Sequence, residues 1–248
     1  MSTVLTFKPT FPQIDFSVVT KFQNVDLQFP IDPLCENLVK IQTGNFINSA
    51  APDLSGKLSE YYTWHWQRCE RLGAFDLAAD ARILDLGSGL GILDIIAAKI
   101  LPESRFWLVD QNDFTYDPAY YVRHGSDHPY YNSWPVVEEL LTANQLARQR
   151  FVLQPPDSPW PQDLDLVIST WCWCWHLPFE MYWPQVLQSL RIGGRLCMDI
   201  RIDHLSVVPM ISEALGQTPV MSAYQGFIGE TQDQTLNRGA RYVWQRQR

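Results

Sequence analysis

Basic charge is scarce in this sequence: 19 Lys and Arg stand against 27 Asp and Glu, a formal net charge of -8. A chain that grips nucleic acid through its phosphates usually shows a basic stripe. Here the few neighbouring basic residues are Arg241, Arg246 and Arg248 at the extreme C-terminus, so DNA or RNA is not the expected substrate. Long apolar runs are missing as well. No stretch approaches the ~20 residues that cross a bilayer, and residues 1–10 lack the basic start and apolar core of a secretory signal. Cysteine is sparse and odd in number: Cys35, Cys69, Cys172, Cys174 and Cys197. Three of them fall in or just past core-like strands, which points to reduced thiols and a cytoplasmic protein. Internal repeats and low-complexity tracts are absent too. With 46% hydrophobic and 19% charged residues, the chain is not of the disordered class. Its 248 residues suffice for one α/β domain with an appendage.

Aromatics, in contrast, are plentiful. There are ten Trp and ten Tyr, and many of them gather in three places: residues 61–66, 116–131 and 171–175. Such rings suit both cores and pocket walls, and composition does not separate the two. Residues 1–54 are punctuated by Pro9, Pro12, Pro30, Pro33 and Pro52 and hold too few apolar residues for a core. They are expected to be an extension packed on a main domain at 55–248. A helix is expected from Ser55, an N-cap type, to Leu72, with Gly73 past its end. From Arg82 onward the pattern alternates. Short apolar runs at 83–86, 106–110, 151–153, 164–169, 195–200 and 240–245 read as strands. Residues 92–101, 134–147 and about 183–190 read as helices, with 178–182 a separate turn and Gly193-Gly194 preceding the fifth strand. Alternation of this kind predicts an α/β fold with a parallel sheet and helices on both faces, and ligands bind outside the carboxyl ends of such strands.

The first strand runs into Asp85-Leu86-Gly87-Ser88-Gly89-Leu90-Gly91 and then a helix. Glycines there allow a sharp turn and a close backbone approach. The second strand ends in Asp110, a carboxylate able to accept hydrogen bonds from both hydroxyls of a ribose. The dinucleotide fingerprint would need its third glycine at position 92, which is Ile92. Gly91 instead gives G-x-G-x-G behind Asp85. In this, in Asp110, in Asp165-Leu166-Val167-Ile168-Ser169 and in Leu190-Arg191-Ile192-Gly193-Gly194, the chain resembles the class I, Rossmann-like S-adenosylmethionine (SAM)-dependent methyltransferases over roughly residues 58–202. The resemblance implies a seven-stranded, mostly parallel sheet with the last strand antiparallel. It implies SAM as cofactor and S-adenosylhomocysteine (SAH) as product. Gly87, Ser88, Gly89 and Gly91 would then flank the methionine part, Asp110 the ribose and Gln111 the adenine edge, with Asp85 a further cofactor-binding residue. The loop 154–160 holds the family's adenine-contacting position, with Asp157 the foremost candidate. An NAD-dependent oxidoreductase and a non-catalytic SAM-binding scaffold are the alternatives.

The family places acceptor contacts just past the fourth strand, where Ser169-Thr170-Trp171-Cys172-Trp173-Cys174-Trp175-His176 stands. The Asn-Pro-Pro-Tyr form used on amide and exocyclic nitrogens is absent. A hydroxyl acceptor needs a base, and His176 is the candidate, against a purely structural role before Pro178. If the segment is extended, Trp171, Trp173 and Trp175 share one face. Cys172, Cys174 and His176 lack the usual zinc spacing and a fourth ligand, so no metal is expected. Residues 112–133 are long for a connection and read as a binding loop. Tyr121, His128 and Tyr131 there, with Tyr62, Trp171, Trp173 and Arg201, are the candidate acceptor contacts. Asp199, Asp203 and His204 are a possible second polar wall. Aromatic platforms with dispersed polar groups resemble those of sugar O-methyltransferases, so the expected acceptor is a small hydroxyl compound such as a sugar.

Overall fold

A computed structural model describes residues 65–112, 132–175, 177–223 and 239–248. The expected extension 1–54 and the binding loop, apart from its ends, lie outside the described residues. So do Tyr62, Tyr121, His128, Tyr131 and His176.

Seven strands form one sheet in the order β3-β2-β1-β4-β5-β7-β6. They are β1 Arg82–Leu86, β2 Arg105–Val109, β3 Phe151–Gln154, β4 Leu164–Ser169, β5 Leu190–Arg201, β6 Val220–Ala223 and β7 Gly239–Gln245. The pairs among β1 to β5 are parallel, and β7 runs antiparallel to both β5 and β6. The helices are α1 Ile92–Ile100, α2 Trp134–Ala143, α3 Trp183–Ser189 and α4 Val207–Leu215, and residues 65–71 are helical. Crossover from β1 goes outward to β2 on one side, and the chain later returns to β4 on the other. That leaves a crevice between β1 and β4 at their carboxyl ends, the ligand position of open α/β sheets.

The central strands are apolar on both sides because both faces are covered. Alternation sends Ile83, Phe106 and Leu166 to one face, where Trp66, Cys69, Ile95, Ile96, Leu140 and Leu141 meet them. Leu84, Val109 and Val167 go to the other, against Phe179, Val186, Ile211 and Leu215. Each such buried Leu, Ile or Phe contributes roughly 1.5–3 kcal/mol. Arg150 locks the far end of α1: its guanidinium donates to the carbonyls of Leu101 (2.6 Å), Ala98 (3.2 Å) and Ser104 (2.9 Å). A cation on the last carbonyls also suits the helix dipole.

Three features differ from expectation. Gly193 and Gly194 lie inside β5, where the register to β4 jumps between Leu164 and Leu166. Gly193 has φ 81°, and a Cβ on Gly194 would stand 2.6 Å from the Leu164 carbonyl, so only glycine passes this kink. Helix α2 ends at Ala143 instead of 147, because Asn144 turns its amide back to the Leu140 carbonyl (2.9 Å). The segment after Ser169 is not extended. Trp171 (φ 52°) and Cys174 (φ 61°) are left-handed, and the chain folds back so that Trp173 bridges Leu177. Among the described residues no helix is long and apolar enough to cross a membrane, and no group of three or more His, Cys, Asp or Glu is placed to hold a metal ion.

Candidate active site

The glycine loop turns out of β1 with Gly87 (φ 76°), Gly89 (φ 53°) and Gly91 (φ 65°) all left-handed. Gly87 and Ser88 point their N–H groups at the Val109 carbonyl (2.8 and 3.4 Å), and Gly91 donates to Ser88 (2.9 Å). These bonds weld the loop to the tip of β2. The space a Gly87 side chain would take is filled by Cys172, whose Sγ lies 2.2 Å from the position of a built Cβ. The first glycine is thus required by the chain leaving β4 as much as by any ligand. Ser169 ties the same two strand ends together, donating to the Leu86 carbonyl (2.8 Å) and accepting the Trp173 N–H (3.1 Å).

Asp110 stands at the tip of β2. Its Oδ2 accepts the Gly89 N–H and its Oδ1 the Gln111 N–H, both at 2.7 Å. One bond to each oxygen leaves an ionised carboxylate with acceptor capacity for two more donors, the need of a ribose diol. Burial pushes its pKa up to about 6, against the pull of those two N–H groups. On the α1 side of the sheet Asp85 meets Asp94, four-fifths of a turn inside the helix from Gly91. Both are buried. Burial raises Asp85 to about 7 and Asp94 well above the carboxylate range, where the neighbouring Asp85 charge adds to the effect. The Cys172 thiol is held neutral by burial and then by the fields of Asp110 and Asp85.

Raised carboxyls store a testable pH signature. Asp110 has its ordinary pKa of 3.8 when the chain is unfolded and about 6 when folded. Its contribution is therefore whole below 3.8 and is lost as pH rises through 6. Asp110→Asn removes that loss. The unfolding free energy of the variant relative to the parent is expected to move in the variant's favour from about pH 4 to pH 7 and then level off. Urea melts at several pH values measure it; a difference that stays flat refutes the assignment.

Not every expected site residue gathers here. Asp157 is exposed on the turn after β3. Gln154, at the tip of that strand, is instead buried, with an amide nitrogen that has no partner among the described residues. Ser88 Oγ is in the same condition. Trp173 is fully buried, stacked on Phe179 at 5.6 Å with its indole N–H on the Phe179 carbonyl (2.9 Å). It belongs to the core. Trp171 takes the opposite face, 4.7 Å and nearly perpendicular to His65 and 6.1 Å from Trp175. Arg201 is forked onto Asp203 with two 2.7 Å bonds, and His204 sits beside it.

Asp199 does not line a wall either. It is sealed against Arg241 of β7 by two bonds of 2.8 and 2.7 Å, both side chains with no exposure. Arg241 also donates to the His65 carbonyl (2.9 Å) and to Cys69 Sγ (3.1 Å), and its NH2 lies 3.1 Å from His65 Nδ1. Because a guanidinium only donates, Nδ1 is the acceptor and the proton of the neutral ring is on Nε2. Burial, then Arg241 and Arg68, holds His65 well below its ordinary pKa. Sequence reading missed His65, Arg241, Asp94 and Gln154.

No protein-family model matches the chain. Over 159 residues it is 30% identical to methyltransferase str3 of Strobilurus tenacellus, covering 64% of this chain and 47% of that protein. The chain thus spans about half the length of the curated relative it matches. Solved structures with a similar course include a precorrin-6y C5,15-methyltransferase from Geobacter metallireducens (TM-score 0.44, 15% identity, 72% of this chain and 87% of that one). Others are an O-methyltransferase family protein from Burkholderia thailandensis (0.45, 14%, 83% and 63%) and a T. thermophilus 16S rRNA N2 G1207 methyltransferase in complex with AdoMet and guanosine (0.44, 15%, 82% and 45%). Likeness at that level says nothing about the acceptor. The sheet order with its antiparallel β7 is the one that the glycine-loop resemblance implies, and over the matched residues the chain is similar to methyltransferase str3.

Proposed function

We propose that the protein transfers a methyl group from SAM to a hydroxyl of a small molecule, a sugar or a compound of similar polarity. The observation that carries the cofactor half is Asp110. It is a buried carboxylate fastened by the Gly89 N–H at the mouth of the crevice, with lone pairs to spare. Ser88 Oγ and the Gln154 amide, buried and without partners among the described residues, are polar atoms of the kind a nucleoside satisfies. The residues present therefore fit SAM: Gly87, Ser88, Gly89 and Gly91 along the methionine part, Asp110 at the ribose, Gln111 and Gln154 toward the base.

Bound SAM supplies a methyl on a sulfonium: the acceptor oxygen bonds to that carbon as the C–S bond breaks, sulfur keeps the electron pair and the hydroxyl proton passes to a base. The protein's task is alignment and exclusion of water. Trp171 supports the acceptor half. A bulky residue held at φ 52° is strained, and such strain persists where the surroundings over-determine it, often at ligand sites. It stands just past β4 beside the glycine loop, where a planar or sugar face can stack. His65 is not the base, since its Nδ1 is engaged by Arg241 and its Nε2 already carries a proton. That role is assigned to His176, with Arg201 and Asp203 as outer polar contacts.

Calorimetric titration with SAM, SAH and NADH tests the reading, repeated on Asp110→Ala. Both sulfur nucleosides are expected to bind and to weaken about tenfold or more in the variant, the loss of charge-assisted hydrogen bonds worth ~1.5–3 kcal/mol. Binding of NADH alone, or of nothing, overturns it. Tritiated methyl transfer to a panel of sugars and phenols then reads the acceptor, and label found only on nitrogen or carbon refutes the hydroxyl assignment.

A further inference from the structure

Trp171 is held in a backbone conformation that tryptophan does not favour, and the side chain that meets it is itself tightly held. Its neighbours in the chain are fixed from β4 and the glycine loop: Ser169 Oγ accepts the Trp173 N–H (3.1 Å), and Cys172 fills the space beside Gly87. The indole is half-buried on the α1 side of the sheet. There the His65 ring meets it edge to face, with 4.7 Å between centroids and 81° between planes. His65 has little freedom to turn. Arg241 of β7 has five N–H groups, and each finds an acceptor. Nε and Nη2 donate to the two oxygens of Asp199 (2.8 and 2.7 Å), and Nη1 to the His65 carbonyl (2.9 Å) and Cys69 Sγ (3.1 Å). The remaining N–H of Nη2 points to His65 Nδ1 (3.1 Å). One guanidinium thus grips His65 at both its backbone and its ring. Asp199 and Arg241 are fully buried and His65 is 3% exposed, so water does not compete for these bonds, and the planar fork fixes direction as well as distance.

We infer that His65 is a positioning residue for the acceptor site: its ring, gripped by Arg241, holds the Trp171 indole in the orientation that meets the acceptor beside the glycine loop. The inference rests on the reading of Trp171 as an acceptor contact. An unrestrained tryptophan samples several rotamers, and fixing one of them only when the acceptor arrives would weaken binding. Here that ordering is completed on folding, through contacts that run from Asp199 to Arg241, His65 and Trp171, across from β5 and β7 to the chain leaving β4. A buried ion pair adds little net stability over apolar side chains of the same size. Orienting the His65 ring is what an apolar pair would not supply.

Two substitutions separate positioning from packing. His65→Phe keeps a ring against Trp171 and gives up the Nδ1 bond; His65→Asn keeps a side-chain acceptor for Arg241 and gives up the ring. The bond from Arg241 to the backbone carbonyl remains in both. The protein is labelled with 5-fluorotryptophan, and the Trp171 fluorine line is identified by its loss in Trp171→Phe. The parent and His65→Phe are expected to show one narrow line for Trp171. In His65→Asn that line should broaden or move as the indole samples further rotamers. Phenol, a planar hydroxyl compound, is then titrated against the same line with SAH present. Its affinity should fall about three- to tenfold in His65→Asn and recover in His65→Phe, while both keep SAH affinity within about threefold of the parent. A Trp171 line alike in the parent and the Asn variant overturns the inference. So does an Asn variant that loses SAH and phenol affinity equally, the mark of general loosening, or a parent line that phenol leaves unmoved. Should the Asn variant not fold, nitrogen-15 and proton spectra of the His-labelled parent still decide. His65 should show a bare Nδ1, a proton on Nε2 and a nuclear Overhauser contact to Trp171, and the lack of any of the three refutes the grip. These spectra need no nucleoside. If the parent binds neither SAM nor SAH, the methyltransferase reading fails, while the hold of His65 on Trp171 is still decided by the spectra of the protein alone.

Discussion

Replacing Arg241 by methionine is expected to lower the free energy of unfolding by about 3–5 kcal/mol, the cost of leaving one member of a buried ion pair alone. Against a typical total of roughly 5–15 kcal/mol, that is enough to make the protein marginal. The size follows from what is lost together. Asp199 keeps its burial but loses both guanidinium bonds, the β5–β7 pair loses its side-chain clamp, and helical residues 65–71 lose the bonds to the His65 carbonyl and Cys69. Arg241→Lys restores the charge and not the fork, so it should recover only part. The decisive variant is Asp199→Leu with Arg241→Met. With both charges gone no desolvated ion remains, and replacement of a buried pair by apolar residues is often neutral. The double variant should be clearly more stable in guanidinium melts than Arg241→Met alone. A double variant as weak as the sum of the two single ones would show that the pair carries no coupling.

The same cluster shows where sequence reading reaches its limit. β1 and β4 were legible because Ile83-Leu84 and Leu166-Val167-Ile168 are continuous apolar runs, the mark of strands covered on both faces. Asp110 was legible because a lone acid closes such a run just after a glycine loop. α4 and β6 were not assigned. Pro209 interrupts the helical signal three residues into α4, and β6 is four residues long, an edge strand with Ser222 and little to bury. His65 and Arg241 lie 176 residues apart in sequence, and no local pattern joins them. A signal did exist: Arg241 is the lone base in Ala240 to Trp244, all buried, and Asp199 the lone acid in Leu196 to Ile200, likewise buried. Charges buried in neighbouring strands must pair. The Trp171 turn left no trace, since tryptophan does not favour φ > 0 and the strain is imposed by packing.

Packing also decides what the first glycine of the loop is for, and Gly87→Ala is expected to be strongly damaging. Its Cβ would stand 2.2 Å from Cys172 Sγ and 2.3 Å from Cys172 Cβ, with φ at +76°. Backbone strain for a non-glycine residue there costs about 1–3 kcal/mol, and overpacking adds a further ~1–3 kcal/mol. Cys172 cannot swing away cheaply, because its own Cβ is part of the overlap and its neighbour Trp173 is anchored by Ser169 and Phe179. The loop must yield instead, dragging the Gly89 N–H off Asp110, so SAM affinity should fall about tenfold or more alongside the stability. Gly91→Ala offers the contrast: its Cβ would meet Leu108 Cδ2 at 2.5 Å, the far end of a side chain that can rotate, so its loss should be smaller. Adding Cys172→Gly to Gly87→Ala removes the overlap and leaves only the backbone strain. The double variant should therefore regain a substantial part of both stability and SAM affinity. If it is no better than Gly87→Ala alone, the cost lies wholly in the left-handed backbone, and Cys172 is not what reserves that position for glycine.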